Sequence, residues 1–158
     1  MSVKPLWNLE PAPTARVPSP VPGVGIGTPW GKRPRGWPVK ALVTYWRARW
    51  RHTGDDYPGA AGAPVLAVLD GTTDNLEDAV LGHVTLLYVT IGGRPFTLWY
   101  CHLSARTVPD GTRVRAGQQI GRVGETGTGA MGPHLHLEKR AGHTRSWAGP
   151  DLLPRWSA

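Results

Sequence analysis

Several kinds of residue and segment are scarce in this chain, and each scarcity excludes a class of protein. Cys101 is the single cysteine among 158 residues, so no disulfide can form within the chain and a cysteine-type structural metal site is excluded. No apolar run approaches the roughly 18 residues that a membrane-spanning helix needs, so we expect no membrane insertion. The first 22 residues contain six prolines and no apolar core segment, so we expect no secretory signal.

Acidic residues are outnumbered, with 11 Asp and Glu against 18 Lys and Arg, which gives a net charge of +7 and a pI near 10.2. This balance is typical either of an ordinary basic surface or of a protein that meets an anionic polymer, such as nucleic acid or the polymers of a bacterial envelope. No run of Lys and Arg reaches five residues, so a nucleic-acid-binding arm is not indicated.

The length and composition predict one folded domain. The 21 glycines and 16 prolines disfavour long helices, while eight tryptophans argue against disorder. We interpret residues 1–24 as a proline-rich extended N-terminal segment and residues 25–158 as a single domain.

Short apolar runs separated by Gly and Pro predict a mostly β fold built from a twisted antiparallel sheet, with few short helices. The paired glycines of Ile91–Arg94 predict a hairpin turn. Residues 70–82 show no alternation and are expected to form a loop, with a short helical turn at 75–81 as an alternative. Strands are expected at about 41–50, 64–69, 83–90, 96–103, 119–123 and 134–140.

His134 and His136 are two residues apart in a β-type run. Because side chains alternate along a strand, both imidazoles would face one groove, with Leu135 and Leu137 in the core behind them. This arrangement suits one metal ligand beside one acid or base. The pair alone also fits two polar residues on a solvated face. Glu138 would then be either a hydrogen-bond partner of His136 or an exposed strand carboxylate.

The segment from His52 to Asp56 adds a second ligand pair. Gly54 indicates a loop that can bring both ends to one ion. Two imidazoles and one carboxylate leave the fourth position of a tetrahedral zinc open, which is the pattern of a catalytic site. Asp55 is the rival of Asp56, and we expect it to be solvated or hydrogen-bonded to a ligand.

His102 has three interpretations from the residues alone: a fourth ligand, an acid or base in the groove, or a core histidine. Alternation predicts that Trp99, Cys101 and Leu103 share a buried face and that Tyr100 and His102 share the other. A cysteine nucleophile at Cys101 is not expected, since a reactive thiol needs an exposed, electropositive setting.

Taken together, these fragments resemble the lysostaphin-type (LytM-like) zinc endopeptidases that cut bacterial peptidoglycan. Asp55, Cys101, Met131 and Leu137 depart from the usual residues of that family, but none of them is a metal-binding or catalytic position. The matching segments are 28–33, 52–56, 62–71, 100–104, 111–121 and 126–138.

The resemblance implies one zinc ion bound by His52, Asp56 and His136, with His102 and His134 in catalysis. It implies a sheet that forms a groove floor with loop walls. Of the two catalytic imidazoles, we favour His134 as the general base and His102 as the stabiliser of the oxyanion, although the reverse division also fits the sequence. Tyr100 is expected to support the groove.

The resemblance further implies a zinc-dependent peptidoglycan endopeptidase that hydrolyses amide bonds in the stem peptide or cross-bridge. We expect a monomeric phage lysis enzyme (an endolysin), made in the host cytoplasm and released at lysis, or else a virion-associated protein. The expected partner is the peptide of bacterial peptidoglycan, with no nucleic acid and no membrane insertion. The alternative is a non-catalytic binding or regulatory module of the same fold, but the presence of all five site residues favours the enzyme.

Overall fold

The computed structural model describes residues 18–29, 31–32 and 52–146, and within these ranges it contains nine strands and no helix. The prediction of a mostly β, antiparallel fold is confirmed. The strands are β1 (Asp55–Pro58), β2 (Pro64–Leu66), β3 (Gly71–Asp78), β4 (Gly82–Ile91), β5 (Arg94–Leu103), β6 (Ala105–Arg106), β7 (Arg113–Val114), β8 (Gln119–Arg122) and β9 (His134–Ala141).

The strands form two antiparallel sheets. The larger has six strands in the order β1-β9-β5-β4-β3-β7, and the smaller has three in the order β2-β8-β6. Strands β4 and β5 are joined through Gly92 and Gly93, whose φ values of 56° and 76° are those that a tight hairpin turn requires. The predicted turn at Ile91–Arg94 is therefore confirmed.

The two faces of the six-stranded sheet have different chemistry. One face, called the core face here, packs Leu135 and Leu137 of β9 in the main apolar cluster, together with Val65 and Ile120 of the smaller sheet. Because strand side chains alternate, His136 points to the opposite face, called the site face. Its cross-strand neighbour there is Cys101 of β5. A smaller apolar cluster also lies on the site face, formed by Leu81, Val84, Leu86, Trp99 and Cys101.

Two segments that we expected to be loops form strands. Residues 71–78 pair with β4 along seven residue pairs, from Thr72 opposite Tyr88 to Asp78 opposite Gly82. Their sequence shows no alternation because this strand lies near the sheet edge and is mostly half-buried, so backbone hydrogen bonds rather than apolar contacts define it. Likewise, the expected loop from His52 to Asp56 enters β1 at Asp55. The strand expected at 41–50 lies outside the described residues.

The described part of the N-terminal region packs against the domain. Val21 is buried in the main cluster, and Leu66 N donates to Pro20 O at 2.8 Å. The division between residues 24 and 25 remains a prediction. Among the residues that the structure describes, no helix is long and apolar enough to cross a membrane.

Candidate metal centre

Pairing of β1 with β9 brings two candidate ligands together, since Asp56 lies directly opposite His136. His52 reaches the same place because the chain between them passes very close to β9. A Cβ atom on Gly54 would lie 2.4 Å from Leu137 O and 3.0 Å from His136 Nε2, so any larger residue would displace one of these groups. Gly54 therefore permits the approach of His52 to the two strands.

Three candidate ligand atoms converge at this point. Asp56 Oδ1 lies 3.0 Å from His52 Nε2 and 2.7 Å from His136 Nδ1, and the two nitrogens are 3.1 Å apart. Two ligands bound to one tetrahedral zinc at about 2.05 Å would be roughly 3.3 Å apart, so an ion fits after a small outward movement of the side chains. Two imidazole nitrogens and one carboxylate oxygen are a donor set that suits zinc.

The outer nitrogens of both candidate ligand rings face hydrogen-bond acceptors. His52 Nδ1 lies 3.1 Å from Pro29 O, and His136 Nε2 lies 3.1 Å from both Glu138 Oε1 and Thr53 Oγ1. A neutral ring therefore carries its proton on the outer nitrogen and its lone pair on the inner one. Both rings are thus oriented to donate lone pairs to a single ion.

The electrostatics of the cluster favour a cation. Burial alone would raise the pKa of Asp56, but hydrogen bonds from His136 and His52 outweigh this and hold the pKa below its usual range. Burial alone would lower the pKa of His136, but hydrogen bonds to Asp56 and Glu138 raise it to about 10. Two carboxylates thus surround the His136 ring and favour positive charge there, which is the setting that a divalent cation needs.

His102 and His134 form a second pair on the site face, with ring centroids 4.8 Å apart. His134 Nε2 lies 3.7 Å from Asp56 Oδ1, and the rings of His102 and His136 are 5.9 Å apart. The Nδ1 atoms bond to backbone carbonyls, His102 to Thr126 O and His134 to Gly132 O, each at 2.8 Å. A neutral ring in this arrangement carries its proton on Nδ1, so the lone pair of Nε2 is free to accept a proton. Burial, followed by the charges of His136 and His134, lowers the pKa of His102 to about 3.

The backbone of His102 has an unusual conformation. Its φ is 62°, and within the described ranges no other non-glycine residue has a positive φ. The pairing of β4 with β5 shifts register at this point, as in a β-bulge, and a bulge re-aims the side chains around it. As a result Leu103 packs in the core-face cluster with Tyr100. Our expectation that Leu103 shares a face with Trp99 and Cys101 is therefore wrong.

The segment after β8 fixes the orientation of His102. Thr126 accepts from the ring through its carbonyl, while its Oγ1 donates to Leu103 O at 2.8 Å and accepts from His83 N at 3.0 Å. Gly127 has a φ of 80°, and a Cβ there would lie 2.4 Å from Gly82 N. This close contact of backbones holds the groove wall against the start of β4.

The structure brings all five candidate site residues to one face of the sheet. Among the described residues, the group able to hold a metal ion consists of His52, Asp56 and His136. His102 is not part of this group, so the three candidate ligands would leave a fourth position of a tetrahedral ion open.

Three neighbouring expectations change. Asp55 is 1% exposed, so it is not solvated. Tyr100 lies on the core face, where its hydroxyl accepts from Val68 N at 3.0 Å, so our expectation that it shares a face with His102 is wrong. Glu138 is buried and bonded to His136, which decides between the two interpretations of that residue.

Sequence reasoning missed Thr53 and Arg140, which both bond to Glu138. Alternation could have indicated Arg140, because it lies four residues after His136 and therefore on the same face of β9. Nothing in the sequence pattern indicates the contact made by Thr53.

Comparison with known proteins agrees with this architecture. Residues 50–146 match the model of peptidase family M23, and the chain belongs to this family. It is 34% identical over 134 residues to the DD-carboxypeptidase/endopeptidase Mpg of Neisseria meningitidis serogroup B, covering 85% of this chain and 26% of that protein. The chain thus spans about a quarter of the length of that relative.

Two solved structures with similar folds are peptidase domains. The catalytic domain of a mutant of the prophage-encoded M23 protein EnpA from Enterococcus faecalis has a TM-score of 0.62 at 27% identity, over 80% of this chain and 88% of that one. The catalytic domain of the antimicrobial peptidase lysostaphin from Staphylococcus simulans has a TM-score of 0.58 at 28% identity, over 81% and 88%. The fold is therefore that of lysostaphin-type M23 peptidases.

Proposed function

We propose that this protein is a zinc-dependent peptidoglycan endopeptidase that hydrolyses an amide bond in the stem peptide or cross-bridge. The observation that carries the proposal is the convergence of His52 Nε2, Asp56 Oδ1 and His136 Nδ1 within 3.1 Å of one another. Two further imidazoles on the same face, His134 and His102, supply one group for proton transfer and one that orients the attacking water. The relatives named as a DD-carboxypeptidase/endopeptidase and as an antimicrobial peptidase support this reaction class.

In this proposal His52, Asp56 and His136 hold one zinc ion per chain. Zinc supplies a Lewis acid, which polarises the amide carbonyl and makes water a better nucleophile near neutral pH. The residues themselves orient the reactants and move the protons.

His134 is the general base of the proposed reaction. Its Nδ1–H donates to Gly132 O, so Nε2 has a lone pair that can take a proton from the attacking water. The water oxygen then bonds to the amide carbon. As the carbon–nitrogen bond breaks, the same Nε2 returns the proton to the leaving amine, and the products are a carboxylate and a new amino terminus.

His102 orients the attacking water in the proposed reaction. The oxyanion-stabilising role that we favoured from the sequence needs a proton on Nε2, whereas the hydrogen bond to Thr126 O places the proton of the neutral ring on Nδ1. Nε2 of His102 is therefore a hydrogen-bond acceptor. An acceptor in this position can fix the direction of a water O–H bond without removing its proton.

We further propose that the protein is a phage lysis enzyme (an endolysin) that acts as a monomer on the bacterial wall, made in the host cytoplasm and released at lysis, or else virion-associated. The prophage-encoded structural relative and the net charge of +7, which suits an anionic wall, support this role. Neither nucleic acid nor membrane insertion has a part in it.

Digestion of purified sacculi tests the proposal. We expect soluble fragments with new amino termini, and we expect their release to stop with a chelator and in the variant His136→Ala. New reducing ends without new amino termini would contradict the proposal, because they report cleavage of the glycan. Binding to sacculi without any fragments would favour the non-catalytic module instead.

A further inference from the structure

Behind the proposed ligand His136 lies a chain of buried polar side chains, called the Glu138 network here and formed by Thr53, Glu138 and Arg140. Glu138 is completely buried, and the other two are 6% and 4% exposed. Glu138 Oε1 lies 3.1 Å from His136 Nε2 and accepts from Thr53 Oγ1 at 2.5 Å. Glu138 Oε2 accepts from Arg140 Nε at 2.9 Å and also from its Nη2.

Arg140, which forms an ion pair with Glu138, is itself held in place by its neighbours. The guanidinium of Arg140 lies 3.6 Å from the ring centroid of Trp99, and Trp99 is the cross-strand neighbour of Glu138. Arg140 Nη1 also donates to Ser146 O at 3.1 Å. The stacking and the hydrogen bonds together leave Glu138 a single orientation, in which one carboxylate oxygen faces Arg140 and the other faces His136.

A buried ion pair is a poor way to stabilise a sheet, because the cost of removing two charges from water offsets most of their attraction. Apolar residues at these positions of β9 would serve stability equally well, as Leu135 and Leu137 do on the core face. The placement of Glu138 against the outer nitrogen of His136 therefore calls for a functional explanation.

We propose that Glu138 is a positioning residue for the metal-binding His136, with Thr53 and Arg140 fixing Glu138. This inference rests on the proposed function, since it takes His136 to be a ligand. By accepting the Nε2–H bond, Glu138 selects the tautomer whose Nδ1 lone pair points at the ion and prevents rotation of the ring. Its negative charge also makes the ring a stronger donor.

The molecule offers a matched control on its surface. His83 Nε2 and Glu77 Oε1 are also 3.1 Å apart, but these side chains are 35% and 62% exposed. Exposed pairs of this kind contribute little, because solvent screens them. Glu77→Gln therefore makes the same chemical change at the same histidine–carboxylate distance, away from the metal centre.

The experiment measures zinc affinity by competition with a chromophoric chelator in the wild type, Glu138→Gln and Glu77→Gln. Loss of a partner of this kind weakens metal affinity by about 10- to 100-fold, which is the result expected for Glu138→Gln, while Glu77→Gln matches the wild type. The visible absorption of the cobalt-substituted protein should shift in Glu138→Gln alone. Unchanged affinity and an unchanged cobalt spectrum in Glu138→Gln would overturn the proposal.

A second pair of variants decides the matter if Glu138→Gln does not fold. Thr53→Val removes the hydroxyl with little change of shape and should weaken zinc binding, whereas Thr53→Ser should restore it. Equal affinity in both would overturn the proposal. The two proposals can fail separately. Wild-type protein that binds zinc but releases no wall fragments would contradict the proposed function. The ratio of zinc affinities between the variants would still support or overturn the positioning role of Glu138.

Discussion

Both faces of strand β9 are buried between Leu135 and Glu138, but different interactions hold the side chains on each face. Leu135 and Leu137 are held on the core face by apolar contact, while His136 and Glu138 on the site face are each matched to hydrogen-bond partners. The difference teaches that burial alone does not identify a functional residue. What identifies it is a buried polar group whose partners all direct it toward one point. Substitutions on the two faces should consequently separate, with stability affected on one and metal binding and activity on the other.

The largest effect is expected for His136→Ala, which leaves two protein ligands. Because loss of even an outer partner weakens metal binding by about 10- to 100-fold, loss of a ligand should cost more than about 100-fold in affinity and abolish wall cleavage. Metal analysis and sacculus digestion measure this. His83→Ala, which removes a half-buried imidazole outside the cluster, is the control and should retain zinc. Full zinc content in His136→Ala would contradict the assignment of the ligand.

The next largest effect is expected for His134→Gln and His102→Gln. Both should keep one zinc per chain, because neither residue belongs to the ligand group. The turnover number should fall by about 100- to 10,000-fold in His134→Gln, as is usual when a proton-transfer group is removed. It should fall by about 100-fold in His102→Gln, because the attacking water is no longer oriented. Steady-state kinetics on a soluble wall peptide give the turnover number, and metal analysis of the same variants gives the zinc content. Zinc loss in these variants equal to that of His136→Ala would break the division of roles.

A smaller effect of a different kind is expected for Tyr100→Phe on the core face. The change leaves the buried Val68 N–H without its acceptor, at a cost of about 1 to 3 kcal/mol in the free energy of unfolding. Denaturant unfolding should show this loss, while wall cleavage at a temperature where the variant is folded should equal that of the wild type. A loss of activity without a loss of stability would place Tyr100 in the groove after all.

The smallest effect is expected at Cys101. Burial, and then the charge of Glu138, raises the pKa of its thiol well above the usual value of about 8.5. Because the pKa of the thiol is higher in the folded than in the unfolded protein, the neutral thiol costs no stability below the unfolded pKa. The free energy of unfolding falls as pH rises from the unfolded toward the folded pKa. At pH 8.5 iodoacetamide should modify the protein only in denaturant. Rapid modification of the folded protein with loss of activity would instead indicate a reactive thiol.

Much of the fold and of the site could be predicted because the signals are local. The alternation of His134 to Leu137 determines which imidazoles share a face, and paired glycines mark the hairpin between β4 and β5. The spacing of His52 and Asp56 around Gly54 indicated a shared ion, although it did not reveal that Asp56 lies in a strand.

The rest depends on partners that are distant in the sequence. Strand β3 shows no alternation, and only pairing with β4 defines it. The register shift at His102 moves Leu103 to the core face, which strict alternation cannot anticipate. The burial of Glu138 follows from contacts with Thr53, 85 positions earlier in the sequence, and with Arg140 stacked on Trp99. A periodic pattern carries no information of this kind.

The most direct test of a single metal centre is a zinc titration of the metal-free protein, with release of new amino termini from sacculi as the readout. The described part of the chain holds one group of three candidate ligands, so we expect activity to rise linearly and stop at one equivalent of zinc per chain. His136→Ala should show no rise over the same range. Wall cleavage by the metal-free protein at the rate of the loaded protein would contradict the account.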